Sequence, residues 1–163
     1  MGEEVQIKRY EMTQEGYDEL EAELDELTNV KMKEIAKKLG EAREQGDLSE
    51  NAEYDAAKNE QSEMHGRIER IKEMLKYAVV VSQDAIEKGR IGMGSLVKIM
   101  DVEYKDEMEY KIVGATEANS MKNKLSNESP VGRAIVGHKK GETVKVETPA
   151  GVLKYKILSV KNP

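Results

Sequence analysis

The chain has 163 residues and a net charge of −6, with 36% charged and 38% hydrophobic residues, enough for one compact domain or two small ones and too little for an elaborate multidomain enzyme. It has no Cys, Trp or Phe, which excludes disulfides, thiolate metal sites and thiol nucleophiles and leaves a core of Leu, Ile, Val, Met and Ala; two imidazoles, His65 and His138, are too few for a usual zinc enzyme. Residues 1–78 carry 12 Lys and Arg against 21 Asp and Glu, a net −9, while 79–163 carry 14 against 11, a net +3. An acidic first part repels naked nucleic acid, so a nucleic-acid role must work through a partner or local patches.

The longest apolar run, Tyr77 to Val81, is far below the roughly 20 residues needed to cross a bilayer. The first residues lack the apolar stretch of a secretion signal, and Gln6 stands where a myristoylation motif needs Ser or Thr. The expectation is a soluble, unanchored protein suited to a reducing cytoplasm.

In chain order, Thr13 is a good N-cap ahead of apolar positions at Tyr17, Leu20, Leu24, Leu27, Ile35, Leu39 and Ala42, with Lys31 filling the gap. The steps alternate three and four, then become four, four and four between Leu27 and Leu39, a stutter that locally unwinds a left-handed supercoil. A second series, Tyr54, Ala57, Gln61, Met64, Ile68, Ile71 and Leu75, alternates three and four throughout, as a heptad seam does. Two such seams joined by the short polar stretch Gln45 to Glu50 bury their faces by folding back on each other. Residues 1–78 therefore read as an antiparallel helical hairpin; the alternative, a larger bundle, lacks the other helices. Arms of about 30 residues extend on the order of 45 Å, which sets the turn far from the rest.

Beyond this, short β-branched runs alternate with turn residues. Tyr77 to Ser82 reads as a strand or helix exit and Asp84 to Gly94 as a polar linker. Leu96 to Tyr104 and Glu109 to Val113 read as a hairpin around Lys105-Asp106-Glu107, and Val144 to Glu147 with Val152 to Val160 as another, turning at Pro149-Ala150-Gly151. Pro130 to Gly137 has the Pro start and Gly end of a short helix. Residues 79–163 are thus expected to form a small α+β domain.

The turn between the arms carries the chemistry. Asp47 or Ser49 suits the second helix's N-cap, Asp47 and Glu50 have capping-box spacing, and Gly46 suits a helix C-terminus. These carboxylates therefore either start a helix or, held at the end of a thin projection, reach another molecule. In the second case they supply hard oxygen ligands for Mg²⁺, weakly alone but effectively where a partner holds a first ion in a two-metal phosphodiester reaction.

Ala42-Arg43, then Gly46-Asp47-Leu48-Ser49-Glu50-Asn51-Ala52-Glu53-Tyr54 and Ala56-Ala57-Lys58, resemble the tip signature of the GreA/GreB family of bacterial transcript cleavage factors. Glu117-Ala118, Leu125-Ser126, Ser129-Pro130-Val131-Gly132-Arg133-Ala134, Gly137, Gly141 and Pro149-Ala150-Gly151 resemble the family's C-terminal domain in order and spacing. The resemblance implies an α+β protein of two domains, a coiled-coil hairpin and a small FKBP-like domain. The latter docks at the rim of the RNA polymerase secondary channel while the coiled coil enters it.

It further implies an accessory factor, not a free-standing nuclease. Asp47 and Glu50 would hold a second Mg²⁺, shared with the polymerase active site and not stably bound by this chain alone, and would promote hydrolysis of the nascent RNA 3′ end in backtracked complexes. Gly46, Leu48, Ser49 and Asn51 would shape the tip. Arg43 and Lys58 are candidates for RNA contact, and Lys37 and Lys38 could also meet RNA phosphate, although each of the three lysines more simply belongs to a solvated helix face; Ser129, Pro130 and Val131 form either a docking loop or a structural turn. The implied state is a cytoplasmic monomer whose partners are polymerase and nascent RNA. Met32-Lys33 stands where the family commonly has Arg-Pro, Gly40 where Ala is usual and Asn119 where Asp is usual; none lies in the tip.

Other signals lead nowhere. Gly132 to Gly137 followed by His138-Lys139 lacks the Lys and hydroxyl of a phosphate-binding loop, Met64 is core filler, and His65 is a solvated helix residue. A channel-binding inhibitor on the same scaffold is disfavoured by the presence of both Asp47 and Glu50, and a prolyl isomerase by the absence of Phe and Trp.

Overall fold

The computed structural model describes residues 8–45 and 51–163. By its contacts the chain divides into two compact units, one comprising the described residues up to Tyr17 together with Ala78–Pro163, the other Asp18–Tyr77. A division at 78/79 therefore leaves out one exchange: the start of the chain belongs with the C-terminal unit. Strand β1 (Tyr10–Met12) lies parallel to β2 (Ala78–Val80), with Tyr10 opposite Ala78 and Met12 opposite Val80. Parallel neighbours require a long crossover, and here the crossover is the helical unit.

Helix α1 (Gln14–Glu26) begins as expected, the Thr13 hydroxyl accepting from the Gly16 amide at 3.0 Å. A second group, remote in sequence, reinforces this start. The Glu117 carboxylate accepts from the Thr13 and Gly114 amides, each at 3.0 Å, and from the Thr13 hydroxyl, placing an anion where the helix dipole favours one. A Cβ on Gly16 would overlap this carboxylate.

Between Leu27 and Leu39 a steady heptad needs steps of four, three and four, so the observed spacing holds one residue more. A π turn absorbs one such residue. It occurs there, at Leu27–Lys31, with the Met32 amide bonded to the Leu27 carbonyl. The chain continues as α2 (Met32–Glu44), and α3 (Ala52–Lys76) follows the turn. Every position of both series is at least half-buried: Leu20, Ile35, Ala42, Ala57, Ile68 and Ile71 are fully buried, and Tyr17, Leu24, Leu27, Lys31, Leu39, Tyr54, Gln61, Met64 and Leu75 are half-buried.

The cross-links between the arms run antiparallel. Asn51 bonds the Ala42 carbonyl at 2.6 Å, Lys38 meets Glu60 at 3.3 Å, and Arg67 grips Glu23 with two bonds of 2.7 Å. That guanidinium holds the Glu23 carboxyl below its ordinary range.

The other unit is built on a five-stranded sheet of β3 (Leu96–Asp101), β4 (Glu107–Val113), β5 (Lys124–Ser126), β6 (Thr143–Thr148) and β7 (Gly151–Lys161). The strand order is β5-β4-β3-β7-β6, antiparallel except for β4 and β5. Both expected hairpins are present. The first strand stops at Asp101, short of Tyr104, because the Asp101 carboxylate accepts from the Glu103 and Tyr104 amides at 2.8 and 3.1 Å and turns the chain. The second turns at Pro149-Ala150, with Gly151 at φ 126°.

Helix α4 (Pro130–Ile135) is the expected short helix, with Gly137 at φ 86° beyond its end. Ile135 enters a core with Ile91, Val97, Ile99, Ile112, Val144, Val146, Ile157 and Tyr155. Two expectations are corrected here. A tyrosine joins the aliphatic core, and the 84–94 segment is no mere polar linker, since Ile91 and Met93 are buried and Ile91 exchanges backbone bonds of 3.0 and 2.8 Å with His138 and Gly137.

Gly40 lies in α2 with nothing within 4 Å of a built Cβ, so Gly40→Ala should stabilise the protein by about 0.5–1 kcal/mol in urea unfolding. Because the Glu23 carboxyl is depressed only when folded, its pairing stabilises above the unfolded value near 4.5 and is lost as the pH falls through and below it. Arg67→Ala should cost less than about 1 kcal/mol at pH 7, the pair being partly solvated. The gap between wild type and variant should close in acid, as followed by urea melts across the pH range.

Candidate functional site

At the open end of the hairpin, α2 finishes with the Gln45 amide bonded to the Ala42 carbonyl at 3.3 Å. Across from it, Asn51 is the N-cap of α3, its carboxamide oxygen accepting from the Tyr54 amide at 3.1 Å while its NH₂ donates to the Ala42 carbonyl. One side chain thus satisfies an orphan amide of α3 and donates to a carbonyl at the end of α2 that also accepts from Gln45. Glu53 and Asp55 add acidic charge to the first turn of α3, where the helix dipole favours it.

This corrects the expected cap. Asn51, in extended conformation just before Ala52, holds the N-cap position the sequence offered to Asp47 or Ser49. Gly46, Asp47, Leu48, Ser49 and Glu50 lie outside the described residues. The chemistry of Asp47 and Glu50, two hard carboxylates, fits Mg²⁺, which takes one or two such ligands and completes its shell with water and phosphate oxygen. Among the described residues, no cluster of three His, Asp or Glu gathers to hold a metal.

The structure brings the two RNA-contact candidates to one aromatic ring. The Arg43 guanidinium carbon lies 5.8 Å from the Tyr54 ring centroid. A side-chain hydrogen bond from Arg43, and then the positive charge of Lys58, lower the Tyr54 phenol below its ordinary range. Sequence reasoning missed this pairing; the signal was the hairpin register, which sets residues after Ala42 against those after Asn51. Lys37 and Lys38 are engaged with Glu41 and Glu60 at 4.0 and 3.3 Å.

Far along the chain, Ser129 caps α4. Its hydroxyl accepts from the Gly132 amide at 3.1 Å and donates to the Ser126 carbonyl at 2.7 Å. A Cβ on Gly132 would overlap that carbonyl oxygen. Val131 packs against the core, and Pro130 is exposed. The Gly132–Gly137 string is helix and helix exit, not a phosphate loop, and His138 bonds Glu142 at 2.8 Å.

Comparison with known proteins fits this architecture. Residues 10–80 match the family described as transcription elongation factor, N-terminal, and residues 86–162 match transcription elongation factor, GreA/GreB, C-term. The chain belongs to the GreA/GreB family of transcription elongation factors. It is 51% identical over 154 residues to transcription elongation factor GreA of Lachnoclostridium phytofermentans, covering 94% of this chain and 96% of that one. With GreA of Clostridium kluyveri it shares 49% over 155 residues, covering 95% and 98%. Among solved structures, GreA factor homolog 1 (Gfh1) of Thermus thermophilus is 28% identical and covers 94% of this chain and 99% of that one, with a TM-score of 0.44. No helix among the described residues of this GreA/GreB member is long and apolar enough to cross a membrane.

Asn51→Ala should remove both bonds of the cap. It is expected to destabilise by about 1–2 kcal/mol and to speed amide hydrogen exchange at Tyr54, with the sheet amides unchanged.

Proposed function

We propose that this elongation factor binds the secondary channel of RNA polymerase and stimulates Mg²⁺-dependent cleavage of the nascent RNA 3′ end in backtracked complexes, so that elongation resumes. The observation that carries the reading is the Asn51 cross-link. It ties the end of α2 to the start of α3, so Asp47 and Glu50 stand in sequence between two joined helix ends, and in this reading they serve a partner's catalytic centre.

In this reading Asp47 and Glu50 hold a second Mg²⁺ beside the ion of the polymerase, and Gly46, Leu48 and Ser49 shape the segment that presents them. When bound, that ion supplies an activated water for attack on the phosphodiester. The two carboxylates orient that water and add no nucleophile of their own. Arg43 and Lys58, both exposed, offer positive charge to RNA phosphate within an otherwise acidic arm. Ser129, Pro130 and Val131 present the docking surface of the other unit, where Pro130 is the exposed member and Ser129 and Val131 support it from within. The hydrolytic centre remains that of polymerase, so the factor alone cleaves no RNA, and it works as a monomer in the cytoplasm.

Asp47→Ala and Glu50→Ala should each lower stimulated cleavage in stalled polymerase complexes by about a hundredfold or more, with affinity for polymerase nearly intact, as followed with end-labelled RNA and a binding competition. If both variants stimulate like the wild type, the carboxylate assignment is wrong.

A further inference from the structure

Tyr54 has two attachments at the turn. Its amide is held by Asn51 at 3.1 Å, and the half-buried residue fills the first position of the α3 seam. A ring so anchored is a fixed platform. Arg43, the basic residue of the last turn of α2, lays its guanidinium toward that platform at 5.8 Å. Among the described residues no carboxylate pairs with Arg43, whereas Lys37, Lys38 and Arg67 are each matched by a glutamate. The guanidinium also donates to the Tyr54 phenol; with five N–H donors on a rigid fork it keeps others, the kind of group that meets a phosphate.

We propose that Tyr54 is a positioning residue for RNA cleavage, its ring fixing the Arg43 guanidinium at the turn so that the cation meets a phosphate of the RNA strand in a set orientation. This rests on the reading that the turn enters the catalytic centre of polymerase. The phosphate belongs to the extruded strand, since an exposed cation unmatched by acid within an acidic arm attracts the nearest polyanion. The depressed Tyr54 phenol agrees, because it reports the same nearby positive groups.

The test uses the full chain with stalled polymerase complexes, reading both the cleavage rate at saturating factor and the half-saturating concentration. Tyr54→Leu keeps an apolar side chain in the seam but removes the platform, and should slow saturated cleavage about two- to fivefold. Arg43→Ala removes the cation and should slow it about tenfold, and the double variant should be no slower than Arg43→Ala alone, as one shared interaction requires. Half-saturating concentrations should stay within about twofold of wild type, because orientation acts on the rate.

A full rate for Tyr54→Leu, an additive double variant, or a loss confined to the half-saturating concentration overturns the proposal. If Tyr54→Leu lowers the melting temperature, Arg43→Lys at the exposed partner carries the test: charge without the planar face should reproduce the two- to fivefold loss, and a full rate overturns it. Asp47→Ala is assayed in parallel; its full activity would bring down the underlying reading instead, whatever Tyr54 does.

Discussion

The helical unit depends on one narrow seam. With only two helices in contact, each arm hides a single strip of side chains, and one strip must serve along the whole length of both. The strip is modest, running through alanines, a glutamine and a lysine stem as well as isoleucines and leucines, so its alignment matters more than its bulk. One surplus residue in the first arm threatens that alignment, because an ideal helix would carry the following apolar positions around to the solvent side. The π turn at Leu27–Lys31 takes up the surplus, and Ile35, Leu39 and Ala42 return to the partner helix.

The hairpin is also fastened at its ends, by different chemistry. Where the chain enters and leaves the helical unit, β1 and β2 pair in parallel, and Glu117 grips the first turn of α1 through Thr13. A Cβ on Gly114 would overlap the Glu11 carbonyl, so the backbone approach there is close enough to demand glycine. At the turn, Asn51 does the same work with one carboxamide. Between these ends the ion pair of Glu23 with Arg67 adds little energy but records the antiparallel register.

The two units are held together by separate means. The sheet unit has its own core of branched aliphatic residues around Tyr155, and α3 has its own cap. The chain belongs to the GreA/GreB family of transcription elongation factors, and the cap and the core give each unit its own means of holding together.

Much of this was legible in the sequence. The heptad steps named every buried position among the described residues from Asp18 to Tyr77, the extra residue between Leu27 and Leu39 located the irregularity, Thr13 capped the helix it was expected to cap, and both β-hairpins fell where alternation and turn residues put them. Periodicity and capping are local, and a local pattern carries its own answer. What only the tertiary structure decided were pairings between distant residues. These include Tyr10–Met12 joining the sheet-bearing unit, Glu117 reaching Thr13, Ile91 and Met93 turning a polar stretch into core, Asn51 reaching across to the Ala42 carbonyl, and Arg43 settling on Tyr54. None of these follows from spacing along one element, because each is selected by which groups the folded backbone brings within hydrogen-bonding or van der Waals reach.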